Sequence, residues 1–308
     1  MKKPLFSCVI PVKGERPFFD EALASLKSQG MGDDLEIIVQ DADVRSGGLG
    51  ELGVGELNHE IHERHENGRA VSAQRLAVSD GGLEGVRWFR EADKGQSDAL
   101  NKGFAKARGE WLFWLNADDV LLPGALKNLT QRLRGTEGCG DACGASGVEW
   151  IAGNMVTIDA DGRVLRCLRD RGKWQEYAGR PIRVFGPSSF FRRELFERVG
   201  GLDVSLRYCM DTDLWCKFRE AGVWFEKIGG YVWGFREHSG SITTGKKAPG
   251  EQARQDAEVA AMHRRHGVKM TRNDVWAMRF RRLLDGSFIG AAFDTLRFKG
   301  KDWRRVFK

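Results

Sequence analysis

An acidic pair at the end of an apolar segment is the feature of this sequence with the clearest chemical meaning. Five apolar residues, from Trp111 to Leu115, predict a fully buried strand, and Asn116, Asp118 and Asp119 follow it directly. Adjacent carboxylates repel each other, and partial burial raises that cost. A divalent cation relieves the cost because hard cations bind carboxylate oxygens and often keep positions for phosphate oxygens. The pair therefore indicates a metal-assisted phosphate site, and a solvated turn with a helix-capping Asp is the alternative.

A second polar cluster lies just upstream. Residues 86–90 predict a strand, Gly95 a turn, and Ser97 the start of a helix. Asp98 and Asn101 lie near this helix start, where backbone amides and the helix dipole favour anions. Both are poor residues for a helix interior, so solvated surface charge does not explain them well. The helical period predicts that the packed face consists of Ala99, Leu100, Phe104 and Ala107.

These two segments resemble glycosyltransferase family 2, whose members have the GT-A fold. Both match in order and at the spacing of the family, and the resemblance runs from about residue 5 to residue 245. Other segments agree with the first strand and nucleotide loop, the second strand, the catalytic-base region and the late histidine motif of the family. The segments that carry the resemblance are Phe6–Gly14, Leu35–Asp41, Asp93–Gly103, Leu115–Asp119, Gly200–Asp203, Met210–Trp215 and Phe235–Ser241.

The resemblance implies a role for each matching residue. Asp211 is expected to be the catalytic base, although Met210 stands where many relatives carry Glu. Asp119 and His238 are expected to bind Mn²⁺ or Mg²⁺, with Asp118 near the ribose or the metal. The residues expected to contact the nucleotide-sugar donor are Pro11, Val12, Lys13, Glu15, Asp41, Asp93, Lys94, Asp98, Asn116, Asp118 and Arg236.

The activity implied by the resemblance is sugar transfer with inversion at the anomeric carbon. The donor would be a nucleotide sugar, foremost a UDP-sugar, and the acceptor a hydroxyl group of a glycan or lipid-linked glycan, as in the synthesis of cell-surface polysaccharides or glycoconjugates. A nucleotidyltransferase would more naturally carry a Gly-rich, basic loop after the first strand, and residues 11–17 offer only part of one. A non-catalytic nucleotide-sugar-binding scaffold is the other alternative, against which the intact acidic and histidine residues argue.

The order of elements predicts an α/β protein. Strands are predicted at 5–11, 35–40, 86–90 and 111–115, and a helix near 17–29 packs through Phe19, Ala22, Leu23 and Leu26. Strands separated by helices imply a Rossmann-like, mostly parallel sheet flanked by helices, with ligands outside the carboxyl ends of the strands. We expect a GT-A catalytic domain at 1–245, with a donor half at 1–120 and an acceptor half at 121–245, and a basic helical extension at 246–308.

The basic charge of the chain is concentrated in this extension. The whole chain carries a net charge of +6, and residues 250–308 hold 14 Lys or Arg against 7 Asp or Glu. Residues 275–284 mix aromatic and cationic side chains at helical spacing. Such a helix can pack on the catalytic domain or contact anionic lipid peripherally, whereas nucleic-acid binding is not expected because no reader motif is present. We expect a cytoplasmic protein, with the inner face of the membrane as the peripheral site.

Two further segments invite metal hypotheses that the residues support poorly. His59, His62 and His65 lie in an insertion at 45–70, where a solvated helix is favoured over a metal site and a lid or acceptor loop is the other alternative. Cys139 and Cys143 have no second close pair to complete a structural zinc site, so a loop with free thiols is favoured.

Overall fold

The computed structural model describes residues 2–14, 16–43, 50–51, 85–137, 147–169, 184–241, 247–269, 271–284 and 286–308. Glu15, the three histidines of the insertion, and Cys139 and Cys143 lie outside the described residues. What was inferred for them stays a prediction.

The amino-terminal half alternates strands and helices as the sequence predicts. The predicted strand at 86–90 is found with the same bounds, and the predicted first helix buries its apolar face. The elements of this half are β1 (Phe6–Val12), α1 (Phe19–Lys27), β2 (Leu35–Asp41), β3 (Gly50–Glu51), β4 (Val86–Arg90), α2 (Gln96–Ala105), β5 (Trp111–Trp114) and β6 (Val120–Leu121).

The second half is less regular and ends in helices. Its elements are α3 (Ala125–Glu137), β7 (Trp150–Ile158), β8 (Val164–Leu168), β9 (Ser189–Arg192), α4 (Arg193–Arg198), α5 (Met210–Glu220) and β10 (Glu226–Arg236), followed by α6 (Glu251–Arg265), α7 (Arg272–Leu284), α8 (Ser287–Phe298) and α9 (Trp303–Val306). Among the described residues, no helix has both the length and the apolar character needed to cross a bilayer.

The strands form one sheet in the order β3-β4-β2-β1-β5-β9-β7-β10-β6, and β8 pairs with β7. The pairs β1–β2, β1–β5 and β2–β4 are parallel, so the predicted mostly parallel sheet is found in the amino-terminal half, where only the pairing of the short β3 with β4 is antiparallel among the described strands β1 to β5. Strands β6 and β9 also run antiparallel to their neighbours, so the sheet as a whole is mixed. Strand β8 is antiparallel to β7 as well, because the short turn that joins them can connect only antiparallel strands.

Two features of this topology bring predicted site residues to one edge of the sheet, at the carboxyl ends of β1, β2, β4 and β5. We call it the functional edge. Strands β1, β2, β4 and β5 are parallel, so their carboxyl ends meet at the same edge. Strand β10 runs antiparallel to β6, with Gly234 opposite Val120. The residues that follow β10 therefore lie beside the residues that precede β6, which are the acidic pair.

A cluster of aromatic rings fixes the helix that carries Asp211. Helix α5 buries Leu214, Trp215 and Phe218 completely, as the sequence predicts. The Trp215 ring stacks between Trp114 of β5 and Trp150 of β7, at centroid distances of 5.9 and 4.9 Å. Stacked aromatic pairs stabilise a core beyond the area they bury. Helix α5 is therefore held tightly against the middle of the sheet.

Candidate active site

Asp118 and His238 form a pair at the functional edge. The imidazole Nε2 of His238 lies 3.0 Å from Oδ2 of Asp118, and the two side chains are 18% and 33% exposed. The backbone amide of Gly240 donates to Nδ1 of His238 at 3.3 Å. Because Nδ1 accepts this bond, the proton of a neutral imidazole belongs on Nε2, where a cation could replace it. The two side chains thus present one carboxylate and one ring nitrogen toward a shared position.

Asp119, the predicted metal ligand, faces the interior instead. Its side chain is fully buried, and its two carboxylate oxygens accept hydrogen bonds from the backbone amide of Arg236 at 2.9 Å and the side-chain amide of Asn116 at 2.8 Å. Burial and the neighbouring Asp118 raise the pKa of Asp119 well above its usual range. The Asp119 side chain thus faces the interior, and Asp118, rather than Asp119, lies against His238.

Arg236, a predicted donor contact, lies beneath the acidic pair. Its guanidinium is fully buried, donating to the carbonyl oxygens of Asp118 at 2.8 Å and of Asp159 and Ala160 at 3.1 Å. It also donates to Glu21 at 2.7 Å. These contacts hold the backbone of the acidic turn, and they do not support a direct contact between the Arg236 side chain and the donor.

Glu21 connects this arginine to the end of the chain, a link that the sequence did not suggest. One carboxylate oxygen of Glu21 accepts from Arg236, and the other accepts from Trp303 Nε1 at 2.9 Å and from Arg304 at 2.5 Å. Glu21 lies on α1 and Trp303 begins α9, 282 residues later. No local signal could reveal a contact at that separation. The last helix, α9, is thus connected to the acidic turn through Glu21 and Arg236.

We expect Glu21→Ala to lower the free energy of unfolding by about 3 kcal/mol, since it leaves the buried Arg236 guanidinium without its carboxylate. Denaturant unfolding followed by circular dichroism measures this change. Glu197→Ala, which removes an exposed helix carboxylate, is the control and should change stability by less than about 0.5 kcal/mol. Equal effects of the two substitutions would show that the Glu21 link contributes nothing.

Asp41 ends β2 at the functional edge, as predicted, and is completely buried. One of its oxygens accepts from the backbone amide of Asp43 at 3.0 Å, and the other lies 3.2 Å from Arg16 Nη2 and 3.3 Å from Trp88 Nε1. The Arg16 guanidinium covers the Trp88 ring at 5.0 Å. A nucleobase that reached the Asp41 carboxylate would have to displace at least one of these hydrogen-bond partners. The predicted contact between Asp41 and the nucleobase therefore stays a prediction.

The turn before α2 gathers several predicted donor contacts. Asp93 accepts from the backbone amide of Gly95, and Asp98 accepts from the backbone amide of Lys94, each at 2.9 Å. This backbone hydrogen bond and the Lys102 ammonium hold the pKa of Asp98 below its usual range. The two carboxylates therefore shape the turn, while the Lys94 side chain is exposed.

Helix α2 is joined to both halves of the site. Gln96 Nε2 donates to Asn116 Oδ1 at 2.8 Å, which links the helix to the acidic turn. Asn101 exchanges two hydrogen bonds with the backbone of Leu202, at 2.9 and 3.0 Å. This pairing explains an Asn inside a helix, because its amide bridges α2 to the loop that leads toward the predicted base. Gln96 was not predicted, and its position inside the motif that contains Asp98 is the signal that could have identified it.

Asp211 lies in the first turn of α5, half-buried, and burial raises the pKa of its carboxyl. Oδ1 accepts from the backbone amide of Thr212 at 2.7 Å. A Cβ on Gly186 would lie 3.3 Å from Oδ2 and 2.8 Å from the Trp114 ring. Because Gly186 has no side chain, the loop before β9 comes close to the Asp211 carboxylate and to the Trp114 ring. Trp114 is the last residue of β5, so Asp211 lies near the carboxyl end of that strand.

The remaining predicted residues of the described chain lie at the end of β1 or directly after it. Pro11 and Val12 end the strand in the sheet, with Val12 buried among core side chains, whereas Lys13 is exposed beyond the edge. The structure therefore brings Lys13, Asp41, Asn116 and Asp118 to the same edge of the sheet, and it places the backbone, rather than the side chain, of Val12 near that edge.

Comparisons with known proteins show what this chain is similar to. Residues 72–200 match the family described as Glycosyl transferase family 2. An uncharacterized glycosyltransferase of Rickettsia typhi is 24% identical over 227 residues, which cover 72% of this chain and 61% of that protein. The uncharacterized glycosyltransferase EpsJ of Bacillus subtilis is 27% identical over 254 residues, which cover 78% of this chain and 63% of that protein. The chain thus spans less than two thirds of the length of these relatives.

A solved structure shows the same fold. The structure of S. aureus TarS 1–349 in complex with UDP-GlcNAc superposes with a TM-score of 0.50 at 14% identity, covering 83% of this chain and 66% of that chain. At this identity the similarity concerns the fold alone. The shared architecture, a curled central sheet flanked by helices, is the GT-A fold, which confirms the fold class predicted from the sequence.

Proposed function

We propose that the protein transfers a sugar from a nucleotide-sugar donor to a hydroxyl acceptor. The match of residues 72–200 to glycosyltransferase family 2 supports this proposal. The observation that carries the proposal is the convergence of three groups on one edge of the sheet. These groups are the Asp118–His238 pair, the half-buried carboxylate of Asp211, and the polar turn before α2. Open α/β sheets bind their ligands at this edge.

The donor site would occupy the ends of β1, β2 and β5 and the turn before α2. The exposed ammonium groups of Lys13 and Lys94 supply positive charge at this edge, which suits a diphosphate. Asp41 is proposed to meet the base and Asn116 the ribose or sugar. A UDP-sugar is the preferred donor, because the resemblance to the family favours it. The positive charge of Lys13 and Lys94 and the hydrogen-bonding groups of Asp41 and Asn116 suit a nucleoside diphosphate.

The Asp118–His238 pair is proposed to hold a divalent cation. Within the described parts of the chain, no group of three or more His, Cys, Asp or Glu side chains forms a complete metal site. Two protein ligands nevertheless suit Mg²⁺ or Mn²⁺, because such ions commonly take their other ligands from substrate phosphates and water. The residues present therefore fit a cation shared with the donor. When bound, it would supply positive charge that stabilises the departing diphosphate.

Asp211 is proposed to be the general base. Its carboxylate would accept the proton of the acceptor hydroxyl as the oxygen attacks the anomeric carbon, on the face opposite the departing diphosphate. A direct displacement of this kind inverts the anomeric configuration. Burial raises the pKa of Asp211, which makes its carboxylate a stronger base than an exposed one. Gly186, which has no side chain, lets the loop before β9 pass close to one of the carboxylate oxygens of Asp211.

The acceptor is proposed to be a hydroxyl of a glycan or a lipid-linked glycan, in the synthesis of cell-surface polysaccharides or glycoconjugates. The acceptor half would be 121–245, with 246–308 as a basic helical extension. Helix α6 of this extension contacts the catalytic base region, because Glu258 accepts from the backbone amides of Tyr208 and Cys209, at 2.6 and 3.0 Å, immediately before α5. The extension is therefore proposed to contribute to the acceptor side.

A thermal-shift screen tests the donor assignment. Ligands that bind the folded state raise the melting temperature by mass action. We expect a UDP-sugar to raise it in the presence of Mn²⁺, by more than GDP-, TDP- or CMP-sugars do, and to lose most of this effect in EDTA. The same shift with and without Mn²⁺ would contradict the metal proposal. The absence of a shift with every nucleotide sugar would contradict the donor proposal.

A further inference from the structure

Helices α7 and α8 present a large apolar surface to solvent. On α7, Trp276, Phe280 and Leu284 recur every four residues and are 69%, 61% and 70% exposed. On α8, Phe293 and Leu296 are 68% and 80% exposed. Soluble domains rarely expose contiguous apolar patches of this kind without a function. We call this surface the apolar face; its members are Trp276, Phe280, Leu283, Leu284, Phe288, Ile289, Phe293 and Leu296.

The packing of α8 does not account for this face. Ser287 and Ala291 lie on the opposite side of the helix and are buried. On that same side, Thr295 Oγ1 accepts from the backbone amide of Cys167 in β8 at 2.9 Å. The helix is therefore already attached to the catalytic domain through its small residues. The large apolar side chains point away from this attachment and are available to something else.

The charge around the apolar face is strongly positive. Residues 271–308 contain ten Lys or Arg and four Asp. Two of these acids are engaged inside the protein, since Asp294 pairs with Arg169 and Asp302 caps α9. The cations include the exposed residues Arg279 and Arg297. The guanidinium of Arg279 covers the Trp276 ring at 5.9 Å, so a cation and an aromatic side chain form one exposed unit.

We propose that the apolar face of α7 and α8 docks on the surface of a bilayer that contains anionic lipid. Aromatic and aliphatic side chains at helical spacing enter the boundary between headgroups and acyl chains, and flanking Lys and Arg bind the anionic headgroups. A second copy of the chain is a poorer occupant. A symmetric contact places the same patch of both copies together, and the cations around it would repel each other.

This docking would deepen the proposed function by bringing the enzyme to lipid-linked acceptors, but the binding itself does not depend on that function. The apolar face has a fixed connection to the site. Helix α8 leads through residues 299–302 to α9, where Trp303 contacts Glu21, and Glu21 pairs with the arginine beneath the acidic turn. The proposed catalytic centre would therefore be held at a fixed distance and orientation relative to the membrane surface.

Vesicle flotation of the full chain tests the proposal. The probes are vesicles of phosphatidylcholine alone and of phosphatidylcholine with phosphatidylglycerol. We expect the wild type to float with the anionic vesicles, more weakly at high salt, and to bind the neutral vesicles at least about tenfold less. The double variant Trp276→Ser/Phe293→Ser should weaken binding about a hundredfold, since each large apolar side chain contributes about tenfold.

Trp224→Ser is the matched control, because Trp224 is 41% exposed but lies outside the apolar face, before β10. It should bind vesicles like the wild type. Failure of the wild type to bind anionic vesicles, or equal losses in Trp224→Ser and the double variant, would overturn the proposal. Sedimentation equilibrium showing a dimer that the double variant abolishes, without vesicle binding, would instead assign the face to a second copy. The melting-temperature response to a UDP-sugar and Mn²⁺, unchanged in all variants, separates this proposal from that of the donor site.

Discussion

Replacement of Asp211 by Asn should leave donor affinity near the wild-type value and reduce sugar transfer about a hundredfold or more, the usual contribution of a general base. The amide keeps the size of the carboxylate and can still accept the hydrogen bond from Thr212. It cannot take a proton from an acceptor hydroxyl. Isothermal titration with the donor and a transfer assay on the same preparation measure the two quantities.

The pH dependence of transfer adds a second readout to this variant. Burial raises the pKa of Asp211, so the carboxylate becomes protonated as the pH falls through a value above the ordinary Asp range. Transfer by the wild type should be lost on this acidic side, and the variant should lack that limb. Asp33→Asn, an exposed change before β2 and away from the functional edge, is the control. Native transfer rates in Asp211→Asn would show that another group is the base.

The second large effect concerns the acidic pair, whose two members should respond differently. Asp118→Ala should abolish metal-dependent donor binding without unfolding the protein, because the Asp118 side chain is partly exposed and faces His238. The loss should exceed the about 10- to 100-fold that removal of an outer-shell partner costs a metal site. His238→Ala should weaken donor binding in the same metal-dependent way. Titration of the donor with Mn²⁺ and with EDTA measures both.

Asp119→Ala should act on stability instead. It leaves the buried backbone amide of Arg236 and the side-chain amide of the half-buried Asn116 without their acceptor, which costs about 1–3 kcal/mol. Asp256→Ala, on the exposed side of α6, serves as the control for both substitutions and should change neither quantity. If Asp119→Ala alone abolished the metal dependence while Asp118→Ala retained it, the original prediction from the sequence would be right and the assignment from the geometry wrong.

The contrast between these two neighbours shows how far the sequence could lead. Local patterns predicted the strands of the donor half, the buried face of α1 and the inward residues of α5, because each depends on a periodicity within a few residues. The sequence also indicated that Asp118, Asp119 and His238 belong together. It could not tell which of the two Asp residues faces His238, because the orientation of the acidic turn depends on Arg236 and Glu21. Arg236 lies 118 residues after Asp118, and Glu21, which pairs with it, lies 215 residues before Arg236.

The same limit applies to the carboxy-terminal helices. The spacing of apolar and cationic residues predicted a helix at 275–284, and α7 is found there. It left open whether the apolar residues pack on the catalytic domain or face outward. That choice depends on tertiary packing, and in the structure it is α8 that contacts β8, through Thr295 on its buried side. Amphipathic periodicity shows which face of a helix is apolar, but it does not identify what that face packs against.

The most direct test of the central claim is to follow the fate of a nucleotide sugar by NMR spectroscopy, with the wild type and Asp118→Ala, in Mn²⁺ and in EDTA. We expect the wild type with Mn²⁺ to release nucleoside diphosphate from a UDP-sugar, in the presence of an acceptor or slowly to water, and the first-formed sugar product to have the inverted anomeric configuration. EDTA and Asp118→Ala should each suppress this release. Release of a product with retained configuration would contradict the proposed direct displacement, and equal release by Asp118→Ala and the wild type in Mn²⁺ would contradict the proposed metal site.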